Sequence, residues 1–524
     1  MFILLLAATL FPTANGWTYP NLQLDALDTL RWDQIGYNSG PNPNSPGIGT
    51  FIAPCTFFTS DTSGNSGRSN AADWIRTAYH DMATYNQTDG TGGLDASIRF
   101  GAEQARPENV GDAFNNTINV VSGHANRYVS VADTLAVAAV MAFENCGGPQ
   151  IAFRGGRVDA TEPNVPGVPQ PQDTLDAHIA DFARSGFTQT EMISLVACGH
   201  SFGGVQHAIF PDIVPDLDDP TDTQSVQHFD TTFTNFDNNI ASEYIAGTTQ
   251  NPLVVGSNIT TNSDQRIFGS DGNATMLSFA NSAELFASTC STLIARMLDT
   301  VPSGVQLTEV VTPLPVKPTN LVHILDGDNM VFTLDVRIWN STNTSMAVVM
   351  LWDDHNGATN STTLPARRLG TSSAINDLYK ATWYGVDELT FDGVAGITTM
   401  RFTVNGDLED QNGLGFPVQD SVLFSTSSCS FSRNPILARI DVAVRNGVNA
   451  TRVFLEHTSF DSTGAPVVTR IDVPPPTQAV AVNSAYSVWS TNLTDNLFYT
   501  IGAEIDGTLI NPTWANQAQN FKSC

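Results

Sequence analysis

Arg76-Thr-Ala-Tyr-His80-Asp81 is answered, 120 residues on from His80, by Ala197-Cys-Gly-His200-Ser201-Phe-Gly-Gly-Val-Gln206. Residues four apart share one face of an α-helix, so the Arg76 guanidinium and the His80 imidazole can enter a pocket together. A neutral imidazole, with its ordinary pKa near neutrality, can take a proton from one atom of a substrate and return it to another. The guanidinium stays charged and stabilises negative charge that develops as a bond breaks. His200 offers a second imidazole, suited to hold a metal from the other side. An exposed Arg–His helix face is the commoner source of this spacing, so the surrounding segments decide.

Composition bounds the possibilities. With 41% apolar residues in 524, the chain can build two or three cored domains. Its net charge of −29 reflects few Lys and Arg as much as many acids, and disfavours nucleic acid and anionic membranes as partners. Phe2 to Phe11 is an apolar run too short to span a bilayer. Followed by Ala14-Asn-Gly16 ahead of Trp17, it reads as a secretory signal over 1–16, although without a basic start. Asn-x-Ser/Thr sequons at Asn86, Asn115, Asn258, Asn273, Asn340, Asn343, Asn360, Asn449 and Asn492 suit a secreted glycoprotein. Six cysteines, at 55, 146, 198, 290, 429 and 524, show no CxxC or CxxH spacing and point to three disulfides; fifteen pairings are open.

Between Asn70 and Leu298, Ala, Leu and Val recur at helical spacing, predicting helices over 71–82, 129–143, 172–184, 191–196 and 276–297. After Asp299 the pattern alternates, as in Met330-Val-Phe-Thr-Leu-Asp-Val-Arg-Ile-Trp339, which predicts strands without intervening helices. Val331–Trp352 resembles Ala438–His457 in layout, and Arg401–Cys429 resembles Leu497–Cys524. The expected architecture is multidomain: a mainly α domain over 17–304, then β-sandwich modules over 305–429 and 430–524, with one larger sandwich as the alternative.

Further motifs lie within the helical half. Asp81 with Gly93-Leu-Asp95-Ala-Ser97 offers carboxylate, carbonyl and hydroxyl oxygens of the kind Ca²⁺ prefers. Glu103 and Asn109 stand six apart, and Pro169-Gln-Pro171 precedes the His200 segment. Ser201, Asp222, Ser225, His228 and Asp230 follow, then Ser263-Asp264-Gln265-Arg-Ile-Phe268 and Phe279-Ala-Asn281-Ser282. In this order, over roughly residues 70–298, the motifs resemble those of the secreted haem peroxidases of the plant and fungal superfamily.

That resemblance implies haem b with His200 on the iron, and an Asp264 carboxylate that accepts a hydrogen bond from His200 and lowers the iron's reduction potential. It implies that the Asn109 carbonyl holds His80, that Pro169 and Pro171 line the haem edge, and that Gln206 binds a propionate. Two Ca²⁺ ions are implied, one at Asp81, Gly93, Asp95 and Ser97, the other at Ser201, Asp222, Ser225, the His228 carbonyl and Asp230. A Cys55–Cys146 bridge fits the family; Cys198, next to the His200 segment, and Cys290, on the helix after Asp264, can close on each other, and Cys429 and Cys524 can pair or tie elsewhere. His124, His178 and His207 read as core histidines.

The chain departs from its relatives at several positions. Tyr79 stands where secreted members have Phe and intracellular ones Trp. Ser69, Asp73 and Gln206 leave one acid at the three positions used for Mn²⁺, Leu195 replaces the ligninolytic surface Trp, and Thr221 and Asp222 occupy the position of the radical-forming Trp. The implied activity is reduction of H₂O₂ to water through an oxoferryl intermediate, with one-electron oxidation of small, phenolic donors. The alternatives are a wall- or carbohydrate-binding protein with a residual haem domain, whose β modules take a glycan or cell-wall ligand, and an H₂O₂-scavenging enzyme.

Overall fold

Several helices begin where the sequence supplies a side-chain oxygen for an otherwise orphaned N–H. Ser69, Ser130, Thr174 and Thr188 cap the helices Asn70–Met82, Val131–Asn145, Leu175–Arg184 and Gln189–Gly199. At Thr188 the cap is reciprocal, since Glu191 bonds back to the Thr188 N–H. The stretch 276–297, expected as one helix, is two: Ala274–Asn281 and Ala283–Leu298. Ser282 breaks it by turning extended and accepting the Leu285 N–H at 3.1 Å.

These observations come from a computed structural model that describes residues 17–42, 45–61, 64–341, 345–363, 367–433, 436–494, 499–510 and 521–524. The stretch 1–16, expected as a secretory signal, and the sequon at Asn343 lie outside them. No helix among the described residues is long and apolar enough to cross a membrane. The helix Val131–Asn145, buried along its whole length, is the axis of the helical core, and Asn70–Met82 packs on it. Disulfides Cys55–Cys146 and Cys198–Cys290 tie this half together.

The β half has one eleven-stranded sheet faced by two smaller sheets. Val348–Asp353 and Thr399–Val404 cover one end of the large sheet over a core that includes Phe332, Val336, Met350 and Phe402. Ala450–Phe460 and Thr500–Ile505 cover the other end over Ile440, Val442, Leu455 and Ile501. The faint repeat has a structural counterpart: in each copy the first strand lies in the large sheet and the next crosses to the facing one. Val422–Ser425 joins the two ends, parallel to Val316–Asp326 on one side and antiparallel to Ile436–Arg445 on the other. Cys429–Cys524 fixes the last strand to its neighbour.

Helical and β halves share structure. Ile35–Gly36 adds an edge strand to the large sheet beside Arg368–Ala374. From the first helix, Leu22–Trp32, and the residue after it, Asp25, Asp28 and Asp33 meet Lys317 and Arg337 of the sheet, all buried. Each charge there has lost its water, so the cluster holds only as a complete set; removing one member of a buried pair costs about 3–5 kcal/mol.

Candidate functional site

The helices Asn70–Met82 and Gln189–Gly199 both line a cavity of about 330 Å³, the former with Arg76, Tyr79 and His80, the latter with Leu195 and Val196. His200, the residue that ends the second helix, also lines it. The size and largely apolar wall are those of a cofactor pocket.

On the first side, His80 Nδ1 and Asn109 Oδ1 are 2.7 Å apart, and Asn109 Nδ2 donates to the Glu103 carbonyl at 2.9 Å. The second bond fixes the amide orientation, so Asn109 presents oxygen and Nδ1 carries the proton. Nε2 is therefore left as the base. Burial, reinforced by the nearby Arg76 charge, lowers the His80 pKa to about 3, so the ring is neutral at ordinary pH. Arg76 is half-buried and lies over the Phe114 ring at 4.6 Å, with Nη2 donating to the Val110 carbonyl at 3.3 Å. Desolvation brings its pKa down to about 10, which keeps it charged at neutrality. The Phe114 ring also packs on His80, 4.9 Å between centroids.

On the other side, His200 Nδ1 donates to Asp264 Oδ2 at 2.7 Å, leaving Nε2 for a ligand. The imidazole stacks on Phe229 at 4.1 Å, which fixes its plane. Asp264 is 1% exposed and its Oδ2 also accepts from Asn251 Nδ2 at 2.8 Å. Gln206, Pro169 and Pro171 line the same cavity. An imidazole with a free Nε2, a carboxylate behind it and apolar walls fit a haem.

The Ca²⁺ candidates divide. Asp81 accepts the N–H groups of Asp95, Ala96 and Ile98 at 2.7 to 2.9 Å, and Ser97 Oγ stands 3.4 Å from it. Asp95, Ser97 and Thr84 surround the Asn164 amide nitrogen at 2.9 to 3.3 Å, and Gly93 joins through its N–H to Thr84. Burial and the mutual proximity of Asp81 and Asp95 raise the Asp81 pKa. Two hydroxyls of the second set have other partners, Ser201 the Cys198 carbonyl and Ser225 the Asp216 carboxylate, and the ring of His228, whose carbonyl was expected there, bonds the Gly67 carbonyl. Asp222 Oδ1 and Asp230 Oδ2 are buried without a hydrogen-bond partner. Among the described residues, no three His, Cys, Asp or Glu are grouped to hold a metal.

Several residues of the site escape a sequence reading. Asn251 and Asn164 sit in loops whose sequence looks like ordinary turns, and only the fold brings them to Asp264 and Asp95. Arg68 pairs with both Asp73 and Asp112 at 2.8 Å, placing a cation beside the one acid left at the Mn²⁺ positions. Burial nevertheless raises Asp73 to about 6. His178, expected in the core, is indeed buried, but it lines the cavity and neither ring nitrogen has a partner. Tyr79 stacks on Phe182 at 6.1 Å between centroids.

A helical domain with two opposed histidines, one held by an amide and one by a carboxylate, defines the haem-peroxidase class of site. Residues 59–288 match the family model described as Peroxidase. The chain is 31% identical over 525 residues to a WSC domain-containing protein of Arthroderma benhamiae, covering 97% of this chain and 68% of that one. It is 36% identical over 140 residues to L-ascorbate peroxidase 5, peroxisomal, of Arabidopsis thaliana, covering 26% of this chain and 49% of that one. It is also 32% identical over 186 residues to manganese peroxidase 2 of Phlebia radiata, covering 34% and 44%. The chain belongs to the plant and fungal peroxidase family, with a β-rich C-terminal extension.

Proposed function

We propose that the chain is an extracellular, H₂O₂-dependent haem peroxidase that takes single electrons from small, phenolic donors. The observation that carries this reading is the pair of 2.7 Å bonds, His80 to Asn109 and His200 to Asp264, in residues lining or backing one cavity. When bound, haem supplies the redox centre that accepts two oxidising equivalents from peroxide and passes them to donors. His80 Nε2 takes the proton from the inner peroxide oxygen and delivers it to the outer one, so that water leaves. Arg76 steadies the charge that develops on the departing oxygen. His200 Nε2 would hold the iron, and Asp264, itself oriented by Asn251, gives that imidazole anionic character.

Donors would meet the pocket at the rim where Pro169 and Pro171 lie, and the Arg68–Asp73 pair argues against Mn²⁺ as the donor. We include Ca²⁺ at Asp81, Gly93, Asp95 and Ser97 in this reading, on the hard oxygens these residues offer. Export is supported by the signal-like start and the sequons. A glycan ligand for the β sandwiches is a further part of this reading, with the exposed Phe431 and Phe460 as the side chains to test by retention of the full chain on insoluble glycan.

The deciding experiment is an absorption spectrum of the haem-supplied protein before and after one equivalent of H₂O₂, then with a phenol. A Soret band that falls with peroxide and recovers with phenol supports the proposal. Haem that is not bound, or is indifferent to peroxide, sinks it.

A further inference from the structure

The hairpin between strands Ala450–Phe460 and Pro466–Val473 of the second sandwich reaches into the helical half. Its tip is stiff: Asp461 Oδ1 accepts the Thr463 N–H and hydroxyl at 2.8 Å and the Ala465 N–H at 3.0 Å. Ala465 is buried in the helical domain's own core. Gly464 has φ +86°, and a Cβ there would come within 2.9 Å of Ser122 Cβ, so only glycine allows the approach. Beside the tip, Arg127 of the helical domain pairs with Glu456, and Glu456 is held in turn by Arg470 at 2.7 Å.

Two separate routes run from this tip to His80. In the first, Thr463 Oγ1 accepts from Arg99 Nε at 3.0 Å, and Arg99 bonds the carbonyls of Ala96 and Ala160. That fixes the loop whose Ser97 hydroxyl meets Glu103 at 3.2 Å; the Glu103 carbonyl in turn holds Asn109, which holds His80. In the second, Gly464 rests on Ser122, the C-cap of the helix Ala113–Val121. That helix carries Phe114, the ring packed on both Arg76 and His80. Both routes are continuous packing and hydrogen bonding, the physical requirement for coupling two places.

We propose that the tip 461–465 is a built-in brace of the peroxide-cleaving side of the pocket, with Thr463 and Arg99 as positioning residues for Asn109 and His80. This rests on the peroxidase reading for its kinetic consequence, but not for its structural one. The β extension is then a working part of the catalytic domain. His200, Asp264 and Asn251 lie on neither route, so the brace acts on one side only.

The test uses full-length, haem-supplied protein carrying Thr463→Val, with Thr463→Ser as the conservative partner and the exposed Thr469→Val as a control. Thr463→Val is expected to slow the peroxide step about tenfold, the lower end of what loss of an outer supporting bond does. The donor step and the rate of haem loss should stay unchanged, and Thr463→Ser should restore the rate. Independently of any activity, amide hydrogen exchange at Ala96 and Ile98 should quicken in Thr463→Val. A Thr463→Val protein with wild-type exchange at these amides overturns the brace, as does a slower donor step and faster haem loss along with the slower peroxide step. If wild type ignores peroxide while exchange still quickens, the peroxidase reading fails and the brace stands.

Discussion

The two histidines of the pocket are built alike up to one atom. Each has Nδ1 held at 2.7 Å by a buried side-chain oxygen, but Asn109 supplies a neutral amide and Asp264 a carboxylate. The amide orients His80 without making it basic, so with burial and Arg76 against the charged form it remains a neutral proton carrier. The carboxylate draws the His200 proton toward itself and makes Nε2 a stronger electron donor to a metal. One substitution of O⁻ for NH₂ thus separates a base from a ligand.

Removing each ring should break the comparison most sharply. His200→Ala is expected to lose stable haem retention, seen as a Soret band that does not co-elute with protein. His80→Ala should keep haem and slow the peroxide step about 10²–10⁴-fold, the usual contribution of a positioned acid–base group. Normal turnover in either variant contradicts the role given to that histidine. Asp264→Asn makes the second partner resemble the first; it should raise the iron's reduction potential and lower haem affinity or activity about 10–100-fold. An unchanged potential in spectroelectrochemical titration counts against the carboxylate's role.

Asn109→Asp makes the reverse exchange. A carboxylate beside His80 favours the imidazolium and raises its pKa from about 3 by about 1–3 units. A base must be neutral to act, so the peroxide step should acquire an acid limb near pH 4–6 absent from wild type. A pH–rate profile that does not move would show that Asn109 does not govern the His80 proton.

The smallest effect belongs to Glu191, which caps the His200 helix and is held by Arg296. The Arg296 hydrogen bond lowers its pKa from 4.5 to about 2, so its stabilising share is present above pH 4.5 and lost as pH falls toward 2. Glu191→Gln should therefore melt slightly below wild type at pH 6, with the difference closing by pH 2. Partial exposure of both side chains keeps it small.

Local chemistry was legible in the chain. RxxxH spacing and the change from helical to alternating periodicity depend on residues near in sequence, and the helical and β halves follow from them, whereas the roles of Asn109 and Asp264 rest on the resemblance of their motifs to the peroxidase family. Ser282 was missed because a capping serine inside a continuous apolar pattern looks like one more helical residue, and periodicity outweighs a single cap over that window. Asn251, Asn164 and Arg68 were missed because amides and a lone arginine in loops carry no signal until folding brings them to buried carboxylates.

What the sequence determined by itself is therefore the inventory: which side chains could transfer protons, hold a metal or form strands, since these depend on residue type and spacing. Tertiary structure alone decided that Cys429 closes on Cys524, that Asn164 reaches Asp95, and that a β hairpin about 380 residues beyond His80 rests against the loop supporting it. Those contacts join residues from 69 to 364 positions apart, and no local pattern encodes where two distant surfaces meet.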